Sequence, residues 1–166
     1  MKNNLTFIDG QNLHLGTKQN NWIVDLNRLR MYLKEKYLVS EAYYYIGYLQ
    51  EENSHLYQEI QKSGYVIVFK EHSPYSATKK KGNVDADIIF DTMKNLLDNI
   101  SFDKVVLVSG DGDYKKLVEY LIQKNRFIKI LFPNKKYASS LYKKLGSEFY
   151  DYLENIKTYI ELVQEK

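Results

Sequence analysis

The sequence predicts an α/β fold built on a mostly parallel sheet with helices on both faces. Short apolar, β-branched or aromatic runs alternate with longer segments of helical spacing, the pattern of consecutive βαβ units. Hydrophobic residues make up 44% and charged residues 27% of 166 positions, enough to bury one core in one domain, taken here as residues 1–166.

The elements follow in order. The first strand-like run, Leu5 to Ile8, ends at Asp9-Gly10. A helix is predicted from Asp25 to Tyr37, with Asp25 as its N-cap and Leu26, Leu29, Tyr32 and Leu33 as its apolar stripe. The second strand is Ala42 to Leu49. A helix from Ser54, carrying Leu56 and Ile60, stops before Gly64, a residue that tolerates the left-handed backbone of a helix end. The third strand is Tyr65 to Phe69, and the polar stretch 72–83, with Pro74, Lys79-Lys80-Lys81 and Gly82, is predicted to be a loop. Val84 to Leu97 forms the next helix and Lys104 to Val108 the fourth strand. Leu117, Tyr120 and Leu121 mark a helix over 114–124, and Phe127 to Phe132 is the fifth strand. Residues 135–166 are amphipathic and predicted helical, interrupted near Gly146, and belong to the same domain.

Composition narrows the chemistry. With 24 basic and 21 acidic side chains the net charge is +3, compatible with a nucleic-acid partner without requiring one. There is no cysteine, so thiol nucleophiles and thiolate zinc sites are excluded, and the three histidines (14, 55 and 72) are scattered. A metal would be held mainly by oxygen. No run approaches the roughly 18 apolar residues of a membrane span, and no signal-peptide core follows Met1. The expectation is a soluble, cytoplasmic protein without membrane contact or a small organic cofactor.

Three acidic segments converge on one edge of such a sheet. Asp9 ends the first strand, and Asp111 and Asp113 follow the fourth in Ser109-Gly110-Asp111-Gly112-Asp113-Tyr114. In open parallel sheets ligands bind beyond the carboxyl ends of the strands, where strand order reverses. The helix after the third strand runs back down, so its N-terminus, with Asp85, lies at that same edge. Asp85 shares a helical face with Ile89, Thr92 and Leu96, whereas Asp87 lies with Asp91, Lys94 and Asp98 on a more polar face. Asp85 is therefore the third ligand expected and Asp87 the fourth. Each acid alone also suits a helix cap or a turn. Together they repel: at about 5 Å and an effective dielectric of about 20, one carboxylate pair costs on the order of 3 kcal/mol. A divalent cation removes that cost, and all-oxygen ligation suits Mg²⁺ or Mn²⁺.

Phe7-Ile8-Asp9-Gly10-Gln11-Asn12-Leu13, Lys81-Gly82-Asn83-Val84-Asp85-Ala86-Asp87 and Ser109 to Tyr114 resemble, in this order and spacing, the three motifs of NYN-domain proteins. These belong to the PIN-like nuclease superfamily, and the similarity, over about residues 5 to 150, is to its stand-alone, LabA-like bacterial members. The resemblance implies a Rossmann-type three-layer sandwich of about five strands in order 3-2-1-4-5. It also implies metal-dependent cleavage of RNA, single-stranded rather than duplex, by water, leaving a 5′-phosphate. Carried over, Asp9, Asp85 and Asp111 hold metal, Asp113 and Asp87 bind it directly or through water, and Asn12 orients Asp9 or the scissile phosphate. Tyr114 stands where relatives often carry Phe, a difference expected to have little consequence.

Other residues carry weaker signals. Lys81, and Lys115 among the lysine pairs at 115–116, 135–136 and 143–144, are candidates for phosphate contact, although lysine runs usually form solvated faces. Ser109 suits either a phosphate contact or a turn. His14, close to Asn12, suits an acid–base role but more often a structural one, and Trp22 and Tyr43 to Tyr45 suit base stacking but more often core packing. Two other readings compete with a ribonuclease. A haloacid-dehalogenase-like phosphatase would carry a second aspartate two residues after the first, where this chain has Gln11. A regulatory RNA-binding module would keep the fold without turnover. The sequence leaves open whether 135–166 pack on their own sheet or on a second copy in a homodimer.

Overall fold

The computed structural model describes residues 3–47, 49–71, 83–98 and 101–163. Six strands, β1 (Asn4–Asp9), β2 (Val39–Ile46), β3 (Val66–Phe69), β4 (Val105–Val108), β5 (Phe127–Phe132) and β6 (Tyr150–Tyr152), form one sheet in the order 3-2-1-4-5-6. Every pairing between them is parallel. The helices are α1 (Gly10–Gln19), α2 (Leu26–Tyr37), α3 (Ser54–Lys62), α4 (Asp85–Leu97), α5 (Lys115–Gln123) and a single turn, α6 (Lys157–Ile160).

Alternation along the strands builds the two faces. Ile8, Val106 and Val108 pack with Leu29, Leu33, Tyr37 and Ile60 of α2 and α3. Leu5, Phe7, Val105 and Leu107 point the other way, toward Ile88 of α4 and Leu117, Val118 and Leu121 of α5. The central strand β1 is buried along its whole length, as expected of a parallel sheet covered on both faces. Its polar Thr6 is satisfied by donating to the Val106 carbonyl at 3.1 Å.

The structure departs from the sequence-based expectations in four places. β2 lies three residues earlier than predicted because pairing with β1 fixes its span, from Asn4 opposite Val39 to Asp9 opposite Tyr45. Helix α1 was not among the predicted elements: Gly10, Asn12, Gly16 and Thr17 are poor helix formers, and it forms because Asp9 caps it and Leu13 is buried. On α4 the buried row is Asp85, Ile88 and Thr92, with Ile89 only partly buried. The helix therefore packs along an i, i+3, i+7 row.

The fourth departure is the C-terminal segment, which is not the predicted pair of helices. It runs through short 3₁₀ turns at Lys135–Tyr137, Ser140–Tyr142, Ser147–Phe149 and Leu153–Ile156, with β6 between the last two. Asn134 and Ser139 side chains accept from the N–H groups of Lys136 and Leu141, local bonds that compete with a continuous helix. The Tyr150 and Tyr152 rings lie 5.9 and 5.6 Å from that of Phe132. Their period of two favours a sixth strand. The predicted loop 72–83 lies outside the described residues except for Asn83.

Among the described residues no helix is long and apolar enough to cross a membrane. The turn from β1 into α1 is tight: a Cβ on Gly10 would overlap the Tyr44 ring and lie 2.6 Å from the Tyr45 carbonyl oxygen. Gly10→Ala should cost about 1–3 kcal/mol, the usual price of overpacking, measured by chemical denaturation; an unchanged midpoint would show that β2 yields freely.

Candidate metal centre

The strand order reverses between β1 and β4, and the predicted acids gather there. Asp9 closes β1 with its Oδ1 accepting from the Asn12 N–H at 3.0 Å, so the carboxylate caps α1. Asp85 opens α4, whose first turn is fixed by its own N–H donating to Asn83 Oδ1 at 2.8 Å. Asp111 follows β4, its Oδ1 accepting from the Asp113 N–H at 3.1 Å. Asp9 and Asp85 are only 6% and 7% exposed; Asp111 is half-buried and Asp113 exposed. One oxygen from each of Asp85, Asp111 and Asp113 lies within 4.8 Å of the others.

That arrangement fits a divalent cation on more than proximity. Asp85 Oδ2 is buried and, among the described residues, accepts no hydrogen bond. Buried carboxylate oxygens are ordinarily satisfied, and this one is available to a cation. The donors are all carboxylate oxygens, the set preferred by hard cations.

Asp9 stands beside this trio and not within it. Burial pushes its carboxyl above the ordinary range, with Asp85 and Asp111 adding to the rise, while the Asn12 N–H and the Tyr114 hydroxyl pull it part-way back. Asp87 is also outside the trio. It turns toward Lys70, 3.9 Å away, and Lys70 in turn donates to the Asn83 carbonyl.

The remaining predicted residues are placed as follows. Asn12 reaches across the crevice, its Oδ1 accepting from the Gly110 N–H at 2.7 Å, and so ties α1 to the loop after β4. Ser109 is fully buried and accepts from the Asp111 N–H at 3.2 Å, which is the turn role. Lys115 pairs with Glu119 at 2.7 Å, one turn along its own helix. Lys81 lies outside the described residues. Trp22, Tyr44 and Tyr45 are buried in the core, as their spacing suggested, and Tyr45 donates to Asp91 at 2.7 Å.

Sequence reasoning missed three contributors. The Tyr114 hydroxyl, expected to matter little, is fully buried, 2.6 Å from Asp85 Oδ1 and 3.2 Å from Asp9 Oδ2. Burial, then the charges of Asp9 and Asp85, drive that phenol far above its ordinary value, so it remains a donor. Tyr142 donates to the Asp111 carbonyl at 2.6 Å, and Asn134 donates to the Gly16 carbonyl at 2.9 Å. All three are tyrosine or asparagine in a chain rich in both, so composition hides them. Only Tyr114, inside an acidic motif, carried a positional signal.

A cleft of about 370 Å³ opens from Asp9, Asp85 and Asp111 along α1, walled by Gln11, Asn12 and Gln19 with Asn134 and Tyr137 opposite. Neutral amides, not lysines, line its described walls.

The raised Asp9 carboxyl has a consequence for stability. The folded state holds this proton more tightly than the unfolded chain, so the group's contribution is full below about pH 4 and is lost as pH rises through the folded value. Asp9→Asn keeps an oxygen for the Asn12 N–H and escapes that loss. In the presence of chelator, urea unfolding should show a gap in the variant's favour that opens as pH rises above about 4; a gap independent of pH would contradict the assignment.

Comparison with known proteins places this geometry. The chain is 27% identical over 164 residues to the Low amplitude and bright protein LabA of Synechococcus elongatus, covering 93% of this chain and 86% of that protein. A crystal structure of a Vibrio parahaemolyticus protein of unknown function, VPA0982, superposes with a TM-score of 0.73 at 20% identity, covering 97% and 96% of the two chains. At that identity the likeness concerns the fold alone. The NYN domain profile matches residues 5–154, which take in all six strands but for Asn4 and all five acids of the three motifs. The chain therefore belongs to the NYN domain family, within the PIN-like nucleases.

Proposed function

We propose that this protein is a metal-dependent ribonuclease that hydrolyses RNA phosphodiester bonds with water as the nucleophile. The observation that carries this reading is the meeting of Asp85, Asp111 and Asp113 within 4.8 Å at the switch point, with a buried Asp85 oxygen left unpartnered. The ion best suited is Mg²⁺ or Mn²⁺, since the donors are carboxylates and no nitrogen or sulfur ligand accompanies them among the described residues. When bound, such an ion supplies an acidified water and offsets charge building on the phosphate oxygens.

The chain's own residues do the rest. Asp85, Asp111 and Asp113 hold the cation and Asp9 adds a fourth carboxylate at the same edge. Asp87, paired with Lys70, acts from outside through water. Asn12 locks the loop that carries Asp111 to the helix capped by Asp9, so that the carboxylates keep their spacing. The exposed amides of Gln11 and Gln19 offer donors and acceptors to base edges, 2′-hydroxyls and phosphates of a single strand. The Tyr137 ring, 56% exposed, offers a base a stacking surface. The same reading makes the protein cytoplasmic, with RNA as its partner.

Labelled single-stranded RNA should be cut by the protein with Mn²⁺ or Mg²⁺ and left intact with chelator. Asp111→Asn retains an acceptor for the Asp113 N–H but should lower cleavage by at least about 100-fold, the scale of losing one electrostatic stabiliser of the transition state, while leaving the metal-free protein equally or more stable. Hydrolysis of a small phosphomonoester and not of RNA would favour the phosphatase reading. Metal binding and RNA retention without cleavage would favour a regulatory module.

A separate expectation concerns binding alone. Because the acids repel one another in the metal-free protein, millimolar Mn²⁺ should raise the melting temperature of the wild type, by selective binding to the folded state, and raise that of Asp111→Asn far less. Equal shifts would place the ion elsewhere.

A further inference from the structure

We infer that Tyr114 is a positioning residue for the metal centre: its buried hydroxyl bridges Asp9 and Asp85 and so selects which carboxylate oxygens remain for a cation. This rests on the metal-centre reading above and names a device within it. Tyr114 sits at the junction of the 3₁₀ turn Gly112–Tyr114 with α5, and its ring is packed in the core cluster that includes Ile88, Val118 and Phe132. The core therefore fixes the ring, and the hydroxyl projects from below onto the two acids.

The hydrogen-bond accounting gives the consequence. A phenol has one hydrogen. The 2.6 Å separation assigns it to Asp85 Oδ1, with the 3.2 Å contact to Asp9 Oδ2 as the weaker branch. Asp85 Oδ1 is thereby engaged, and the oxygen left over is Oδ2, the one that is buried without a partner. On Asp9, Oδ1 takes the Asn12 N–H while Oδ2 faces Tyr114. The two carboxylates come from elements 76 positions apart in sequence, and the only side chain touching both among the hydrogen bonds of the described residues is Tyr114. Without its hydroxyl, the Asp85 carboxylate loses its one hydrogen bond among the described residues and can turn about its terminal bond, while Asp9 keeps only the Asn12 N–H against the repulsion between the two. Hydrogen-bonded partners that orient metal ligands commonly matter by 10–100-fold in affinity.

The test is Mn²⁺ binding by calorimetry on the full chain, comparing wild type, Tyr114→Phe and Tyr65→Phe. Tyr65 is a control because its hydroxyl donates to the Leu26 carbonyl at 2.8 Å and its ring packs with α2 and α3 on the other face of the sheet. Tyr114→Phe is expected to weaken Mn²⁺ binding by about 10-fold or more and to raise the Mn²⁺ concentration for half-maximal RNA cleavage in parallel, with the KM for RNA unchanged. Tyr65→Phe is expected to lower the melting temperature while shifting the Mn²⁺ Kd by less than about 3-fold, because it orients no carboxylate. If wild type binds Mn²⁺ and Tyr114→Phe binds it equally well, this inference fails and the metal centre stands. If wild type binds no Mn²⁺, the metal centre itself fails and takes this inference with it. A readout on the wild type covers the case of an unstable variant: the Tyr114 Cζ resonance of tyrosine-labelled protein should move on adding diamagnetic Mg²⁺, and a resonance that stays put under saturating Mg²⁺ overturns the inference.

Discussion

The structure depends on an electrostatic conflict held in place by strand pairing. β1 and β4 lie side by side in parallel register, with Ile8 opposite Val108, so the chain leaving each strand must emerge at the same edge. One strand ends in Asp9 and the other runs on into Asp111 and Asp113. The reversed direction of α4 delivers Asp85 to the same place. Asp9 and Asp85 are buried, so neither can leave without disturbing the parallel ladder or lifting α4 from its core. The repulsion is thus built into the fold, and a divalent cation would offset it.

The remainder of the chain serves to keep that edge rigid. The loop after β4 is braced from three sides: Asn12 takes the Gly110 N–H, the Gly110 carbonyl takes the Ser139 N–H at 3.0 Å, and Tyr142 holds the Asp111 carbonyl. Gly112 permits this closeness, since a Cβ there would lie 2.5 Å from Ser139 Oγ. The C-terminal segment also binds back to the start of α2, with the Asp25 N–H donating to the Ile160 carbonyl at 2.8 Å. A segment that looks peripheral in sequence therefore braces both the start of α2 and the loop that carries Asp111.

Much of this was legible in the residues. Strand order followed once Asp9 and the Ser109 to Tyr114 segment resembled a known motif pair, and the helix face of Asp85 was readable from its offset to Thr92. The rest was hidden for identifiable reasons. α1 is short and poor in helix formers, so its cap and its burial decide its conformation, and both are properties of the fold. In 135–156 the apolar residues suit either period, and the outcome is set by Phe132 receiving Tyr150 and Tyr152, a contact between distant positions. Lys115 illustrates the converse, a basic residue beside an acidic motif that pairs with Glu119 on its own helix. Tyr114 was read as interchangeable with Phe because nothing local shows where a hydroxyl will land.

The most direct measurement is anomalous scattering near the manganese edge from crystals soaked in Mn²⁺. The account predicts a peak among the carboxylates of Asp85, Asp111 and Asp113, at the carboxyl ends of β1 and β4. An empty difference map there at saturating Mn²⁺, or a peak confined to surface acids elsewhere, would contradict it.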